Sequence, residues 1–196
     1  MSAPVPTIVF VRHGETDWNV EGRLQGQRDI PLNQNGRAQA RRNGEVIARE
    51  LPEAAGYDFV ASPLGRARET MEIARRAMGL DPDAYQVDPR LVEITFGELE
   101  GLTYRDIESR QPGWLKERHA NKWEFLPPGG ESYRMLSERI VAWVETLTRP
   151  VVVVAHGGVG RVLRAHLLDL DKAESVAEDF PQDRLFLWRD GKGMWV

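Results

Sequence analysis

Two of the four histidines share a sequence context that suits phosphate chemistry. His13 and His156 each follow directly after a run of apolar residues, and each is followed by a glycine. Ligands of open α/β sheets bind beyond the carboxyl ends of the strands, so both imidazoles are predicted to lie at one binding edge. Gly14 and Gly157 let the backbone turn sharply and approach a ligand. A single such histidine would more simply end a strand, whereas the matched pair favours a function.

Arginines near these histidines indicate an anionic ligand. Arg12 precedes His13, and Arg66 falls in the first turn of a helix predicted to open with Ser62 as N-cap and Pro63 as the first helical residue. A helix N-terminus presents unpaired N–H groups and a partial positive charge. The planar guanidinium group also donates two parallel hydrogen bonds to phosphate oxygens. Together these features predict a phosphate site.

The elements that must position these side chains follow from the apolar pattern. Residues 7–11, 57–61 and 151–155 are short apolar runs, typical of strands covered on both faces. Weaker strands are predicted at 85–87 and 91–94, and a final strand pair at 184–188 and 194–196. Helical patterns cover 37–51, 62–78, 131–147 and 159–168. The alternation predicts an α/β three-layer sandwich, with a mixed, mainly parallel central sheet flanked by helices.

Length and composition favour one domain. The chain has 196 residues, 41% hydrophobic and 29% charged, as in an ordinary soluble globular protein. We therefore predict a single domain over residues 1–196. The stretch at about 97–130 differs, with Trp114, Trp123, many charges and a Pro-Pro-Gly-Gly run, and we expect it to form a lid-like excursion in which Tyr104 and these tryptophans could shape the pocket.

Charge and residue usage exclude several classes of protein. Lys and Arg number 26 against 30 Asp and Glu, a net charge of −4, which argues against nucleic-acid and anionic-membrane partners. The longest aliphatic run is too short to span a bilayer and the N-terminus lacks signal-peptide features, so we expect a cytoplasmic location. The sequence contains no Cys, which excludes thiolate zinc sites and a cysteine nucleophile. The expected partner is a small phosphorylated metabolite, and the sequence does not indicate an oligomeric state.

A series of local motifs resembles one known family. Arg-His-Gly-Glu-Thr at 12–16 is followed by Trp-Asn at 18–19 and Gly-Arg-Leu-Gln-Gly at 22–26. Ser-Pro-Leu-Gly-Arg-Ala-Arg-Glu-Thr at 62–70, Glu93, Gly-Gly-Glu-Ser at 129–132 and Ala-His-Gly-Gly at 155–158 come next, in that order. From about residue 8 to 168 the chain resembles the histidine phosphatase superfamily, the phosphoglycerate mutase-like group.

The resemblance implies a role for each motif residue. His13 would be the nucleophile that forms a phosphohistidine, kept unprotonated by its neighbouring arginines. Glu93 would protonate the leaving alkoxide and then activate water. His156, with Arg12, Arg66 and Asn19, would clamp the transferring phosphoryl group. The remaining expected substrate contacts are Gln25 and Gly157. No metal or other cofactor is implied.

Within this group the sequence favours a phosphatase over a mutase. Mutases that resemble this chain carry a longer insertion between acid and second histidine, whereas here 63 residues separate Glu93 from His156. They also have an Asn-Lys pair where this chain has Thr103 and Tyr104. Two alternatives stay open: a cofactor-dependent phosphoglycerate mutase, and an inactive phospholigand-binding protein on the same fold.

Other enzyme classes lack their motifs. A zinc hydrolase would need a pattern such as His-Glu-x-x-His, and an α/β-hydrolase would need Gly-x-Ser-x-Gly; neither occurs. Gly158 and Gly160 follow a strand as in a dinucleotide fold, but Leu163 occupies the third glycine position.

Overall fold

A six-stranded sheet forms the centre of the molecule, as seen in a computed structural model that describes residues 4–196. The strand order is β3-β2-β4-β1-β5-β6. The strands are β1 (Ile8–Arg12), β2 (Asp58–Ala61), β3 (Gln86–Val87), β4 (Val151–Ala155), β5 (Phe186–Arg189) and β6 (Lys192–Trp195). Strands β1 to β4 run parallel, and the hairpin β5–β6 joins β1 antiparallel. The predicted mixed, mainly parallel sheet is therefore confirmed.

Helices cover both faces of this sheet. They are α1 (Asp17–Val20), α2 (Gln34–Glu50), α3 (Gly65–Ala77), α4 (Tyr104–Arg110), α5 (Trp114–Ala120), α6 (Tyr133–Val144), α7 (Gly157–Leu168) and α8 (Lys172–Ala177). Phe10 and Val153 lie in one buried cluster with residues of α6, α7 and α8. Val9 and Val154 point the other way, into a cluster with residues of α2 and α3. Alternate strand residues thus fill two cores, as expected for strands covered on both faces.

The register of the two central strands brings the histidines together. β1 pairs with β4 so that Ile8 lies opposite Val151 and Arg12 opposite Ala155. The pairing extends one residue further, because the His13 N–H donates to the Ala155 carbonyl at 2.9 Å. His13 and His156 therefore leave adjacent strand ends on the same edge of the sheet, as the sequence predicted.

Three local predictions need correction. Residues 91–94 form no strand; a short 3₁₀ turn at Pro89–Leu91 replaces it. The four-residue helix α1 was not anticipated, although Thr16 and Asn19 form its capping box. Helix α3 begins at Gly65 rather than at Pro63, with Leu64 and not Ser62 as its N-cap; the Ser62 hydroxyl lies 2.7 Å from His156 Nε2.

The 97–130 segment contributes the short helices α4 and α5. Trp114 is buried in a small cluster with Leu24, Leu99 and Ile107, and Trp123 is buried in the main core beside α6. Both tryptophans therefore pack this segment onto the body of the protein. Within residues 4–196, no helix combines the length and apolar character needed to cross a membrane.

Candidate active site

The hydrogen bonds of His13 define which ring nitrogen carries the proton. Its Nδ1 lies 2.7 Å from the Gly14 carbonyl oxygen. A carbonyl can only accept, so Nδ1 carries the proton and Nε2 keeps a lone pair. Burial, with Arg66 and Arg12 nearby, holds the pKa of His13 well below its usual value. His13 is therefore neutral at physiological pH, with Nε2 available as a nucleophile.

His156 lies against His13 and is fully buried. The two ring centroids are 5.2 Å apart. His156 Nε2 is 2.7 Å from the Ser62 hydroxyl, whereas its Nδ1 is buried without a hydrogen-bond partner in the described chain. Burial and Arg66 also lower the pKa of this imidazole well below its usual value. Ser62 thus holds one ring nitrogen, and the other has no partner within the described chain.

Both predicted arginines are held by main-chain oxygens. Arg66 is fully buried and donates to the carbonyls of Arg28 at 2.6 Å and Gly26 at 2.8 Å, while its Nε donates to His13 Nε2 at 3.3 Å. Arg12 donates to the Phe180 carbonyl, and its Nε is buried without a partner among residues 4–196. Fixed guanidinium groups of this kind are suited to bind phosphate oxygens.

The predicted substrate contacts also face the site. Asn19 Oδ1 accepts the Thr16 N–H at 3.1 Å, which leaves the Nδ2 amide group to donate. Gln25 is buried, and its Oε1 has no partner in the described chain. A Cβ atom on Gly157 would lie 3.3 Å from the Arg161 guanidinium and 3.4 Å from that of Arg12. Only glycine leaves this space open.

The carboxylate of Glu93 is oriented by two backbone groups. Oε1 accepts the Ile94 N–H at 2.9 Å, and Oε2 accepts the Gly158 N–H at 3.1 Å, at the start of α7. A Cβ atom on Gly158 would come within 2.5 Å of Glu93 Oε1, so glycine is needed for this approach. Glu93 therefore has a fixed position beside the histidines.

These side chains surround one cavity of about 160 Å³. Seven of the eight predicted site residues line it: Arg12, His13, Asn19, Gln25, Arg66, Glu93 and Gly157. His156 does not line the cavity and instead lies buried against His13. The sequence thus selected residues from six separate segments that the fold brings to one place.

One part of the predicted phosphate site is wrong. The N-terminus of α3 already carries a carboxylate, since Asp29 Oδ1 accepts the Gly65 N–H at 2.9 Å. An anion at this helix start would meet Asp29. The contribution of α3 is therefore the Arg66 side chain, and the helix that begins beside the cavity is α7.

Tyr104, which the sequence suggested as a residue that could shape the pocket, lines the cavity. The sequence missed four further lining residues, which are Arg118, Lys122, Tyr133 and Arg161. Arg161 lies four residues after Gly157 on α7, a spacing that places both on one helix face and could have revealed it. Burial, with Arg118 and Arg161 nearby, lowers the pKa of Lys122 to about 7. No sequence signal singled out Arg118 or Lys122.

Over residues 4–196, no cluster of three or more His, Cys, Asp or Glu side chains could hold a metal ion.

Comparisons with known proteins agree on one group. The family model of the histidine phosphatase superfamily (branch 1) matches residues 8–183. A glucosyl-3-phosphoglycerate phosphatase of Mycobacterium tuberculosis is 38% identical over 180 residues, covering 85% of this chain and 77% of that protein. A probable phosphoglycerate mutase, GpmB, of Salmonella paratyphi C is 36% identical over 156 residues, covering 76% of this chain and 69% of its own length.

Solved structures of similar proteins share the fold of this chain. A mycobacterial glucosyl-3-phosphoglycerate phosphatase in complex with VO3 superposes with a TM-score of 0.79 at 32% identity, covering 97% of this chain and 96% of that one. The TTHB049 protein from Thermus thermophilus superposes with a TM-score of 0.72 at 36% identity, covering 92% of each chain.

Proposed function

This chain belongs to branch 1 of the histidine phosphatase superfamily, and we propose that it hydrolyses small phosphomonoesters through a phosphohistidine at His13, without a metal ion. Membership confirms the resemblance identified in the sequence. The observation that supports this chemistry best is the hydrogen-bond arrangement of His13, which leaves Nε2 unprotonated. Its Nδ1 is bonded to the Gly14 carbonyl, and its Nε2 lies beside a buried guanidinium.

The first step transfers the phosphoryl group to the enzyme. His13 Nε2 attacks phosphorus, the N–P bond forms and the bond to the ester oxygen breaks. Glu93, when protonated, gives its proton to the leaving alkoxide, which departs as an alcohol. In the second step water attacks the phosphohistidine, Glu93 takes the proton from that water, and phosphate and free His13 result.

The phosphoryl oxygens need donors throughout both steps. Arg12 Nε and His156 Nδ1 are buried polar atoms without partners in the described chain, and Asn19 has a free amide group. Donors already fixed in place stabilise the transferring phosphoryl group without further rearrangement. This arrangement supports the roles of Arg12, Arg66, Asn19 and His156 as the phosphate clamp, with Gln25 and Gly157 as further contacts.

Two further basic residues that line the cavity, Arg118 and Lys122, suggest the substrate class. The salt bridges within residues 4–196 include neither Arg118 nor Lys122. Arg118 is 6% exposed and stacks over Tyr104. Lys122 donates to the Val176 carbonyl, and both cations line the cavity without a carboxylate partner in the described chain. Because such charges attract an anion, we propose that the substrate carries a second anionic group, such as the carboxylate of a phosphoglycerate. The M. tuberculosis relative is named for a substrate of this type.

We further propose that residues 97–130 act as a lid of a single domain, since Tyr104, Arg118 and Lys122 reach the cavity from this segment. A cytoplasmic location stays a prediction.

A mutase is the second candidate function, because one relative is named a probable phosphoglycerate mutase. Hydrolysis is favoured by the short distance in sequence between Glu93 and His156.

A substrate panel tests the proposal. We expect phosphate release from 3-phosphoglycerate, glucosyl-3-phosphoglycerate and sugar phosphates, unchanged by excess EDTA. Interconversion of phosphoglycerates in the presence of 2,3-bisphosphoglycerate, without phosphate release, would support the mutase instead.

The variant His13→Ala tests the nucleophile. In this variant, phosphate release and acid-labile labelling by radioactive substrate should disappear together. The matched control is His119→Ala, since His119 is exposed and outside the cavity. Labelling that persists in His13→Ala would place the nucleophile elsewhere.

A further inference from the structure

A short segment after α8 contacts the site from outside the cavity. This segment covers residues 178–182. The Phe180 carbonyl accepts a hydrogen bond from Arg12, and Asp179 Oδ1 lies 3.3 Å from Arg161 Nη2. The side chain of Gln182 reaches further in. Its Nε2 donates to the main-chain carbonyl of His13 at 3.0 Å and to Asn19 Oδ1 at 3.2 Å.

These bonds determine the orientation of each amide. The His13 carbonyl can only accept, so the NH₂ group of Gln182 must face it. The Thr16 N–H can only donate, so Asn19 must turn Oδ1 toward Thr16. Gln182 donates to that same oxygen. The two side-chain amides therefore have one consistent arrangement, in which the Asn19 NH₂ group is left to face the cavity.

From this network we propose that Gln182 is a positioning residue of the phosphate site, which acts by holding Asn19 with its donor group toward the phosphoryl oxygens. The proposal rests on the proposed function only in taking phosphate as the ligand of the cavity. Gln182 does not line the cavity itself. Its effect therefore passes through Asn19.

Binding of inorganic phosphate tests this role without requiring turnover. Gln182→Met keeps the side-chain length but removes both donors. We expect its Kd for phosphate, measured by calorimetry, to rise about five- to tenfold, as for loss of one hydrogen bond. In an Asn19→Ala background, the same substitution should change the Kd by less than about twofold.

The exposed neighbour Asp183 provides the matched control, and Asp183→Asn should bind phosphate like the wild type. Melting temperatures of all variants separate folding from binding. An equal loss of affinity in both backgrounds, or none in either, would overturn the proposal. If the wild type binds phosphate but hydrolyses no ester, the proposed function fails, while the Kd cycle still decides the role of Gln182.

Discussion

The backbone holds one end of the His13, Arg66 and Glu93 side chains, and all three line the cavity. The Gly14 carbonyl holds His13 Nδ1, two carbonyls hold Arg66, and two N–H groups hold Glu93. Such contacts fix the tautomer of the imidazole and the direction of each charge. Phosphoryl transfer depends mainly on this positioning and electrostatic stabilisation.

Glu93→Gln tests the assigned acid. The amide cannot supply a proton, so kcat/KM for an alkyl phosphate such as glycerol 3-phosphate should fall by about 10²- to 10⁴-fold. The kcat/KM for p-nitrophenyl phosphate should fall far less, because nitrophenolate leaves without protonation. Stopped-flow release of nitrophenol should also show a burst, since the base for the second step is lost.

The control for this substitution is Glu98→Gln, an exposed carboxylate five residues away. Its kcat/KM should match the wild type with both substrates. If Glu93→Gln lowered kcat/KM equally for the alkyl and the nitrophenyl ester, Glu93 would not be the acid.

At the scale of elements, the sequence predicts those features that depend only on residues close together in the chain, such as strands and short motifs. The apolar runs in the sequence predicted β1, β2 and β4. The motifs at the ends of these runs identified His13 and His156. Contacts between distant segments were not predictable from local pattern. Ser62 lies 94 residues from His156 and Asp29 lies 36 residues from Gly65. These contacts place the Ser62 hydroxyl on a buried histidine and a carboxylate at the N-terminus of α3.

The 97–130 segment shows the same limit. The sequence of this segment shows only a weak helical pattern. Trp114 and Trp123 are buried by contacts with other parts of the chain, which the local sequence does not reveal. Arg118 and Lys122 became candidate ligands for an anion only when the fold enclosed them beside the cavity.

Lys122 should make substrate selection depend on pH. With a pKa lowered to about 7, its ammonium group is charged below that pH and neutral above it. The ratio of KM for 3-phosphoglycerate to KM for glycerol 3-phosphate should therefore rise severalfold between pH 6 and pH 8. Comparing two phosphomonoesters cancels the titration of the phosphate itself.

In Lys122→Met this ratio should be high at both pH values and change little between them. Lys116→Met, which removes an exposed lysine of the same segment, should keep the wild-type dependence. A ratio that still changes with pH in Lys122→Met would assign the effect to another group.

At the scale of the whole molecule, net charge and local charge differ in sign. The chain carries −4 overall, yet five basic side chains line the cavity: Arg12, Arg66, Arg118, Lys122 and Arg161. A long polyanion needs an extended basic surface, whereas a small phosphate needs only a few fixed donors. The acidic composition therefore argues against a long polyanionic partner, and it is compatible with a small phosphorylated ligand.

The two buried imidazoles should also make the whole fold sensitive to acid. His13 and His156 have folded-state pKa values well below their usual range. Below about pH 6.5 the unfolded chain binds protons that the folded chain does not, so the free energy of unfolding falls, by up to about 1.4 kcal/mol per pH unit for each histidine. Above that pH the two histidines do not change the free energy of unfolding with pH.

Urea unfolding at pH 7, 6 and 5 in phosphate-free buffer should show this loss of stability. The slope of the free energy of unfolding against pH should be smaller in His13→Asn and in His156→Asn. The exposed His119→Asn should retain the wild-type slope, and equal slopes in all four proteins would contradict the prediction.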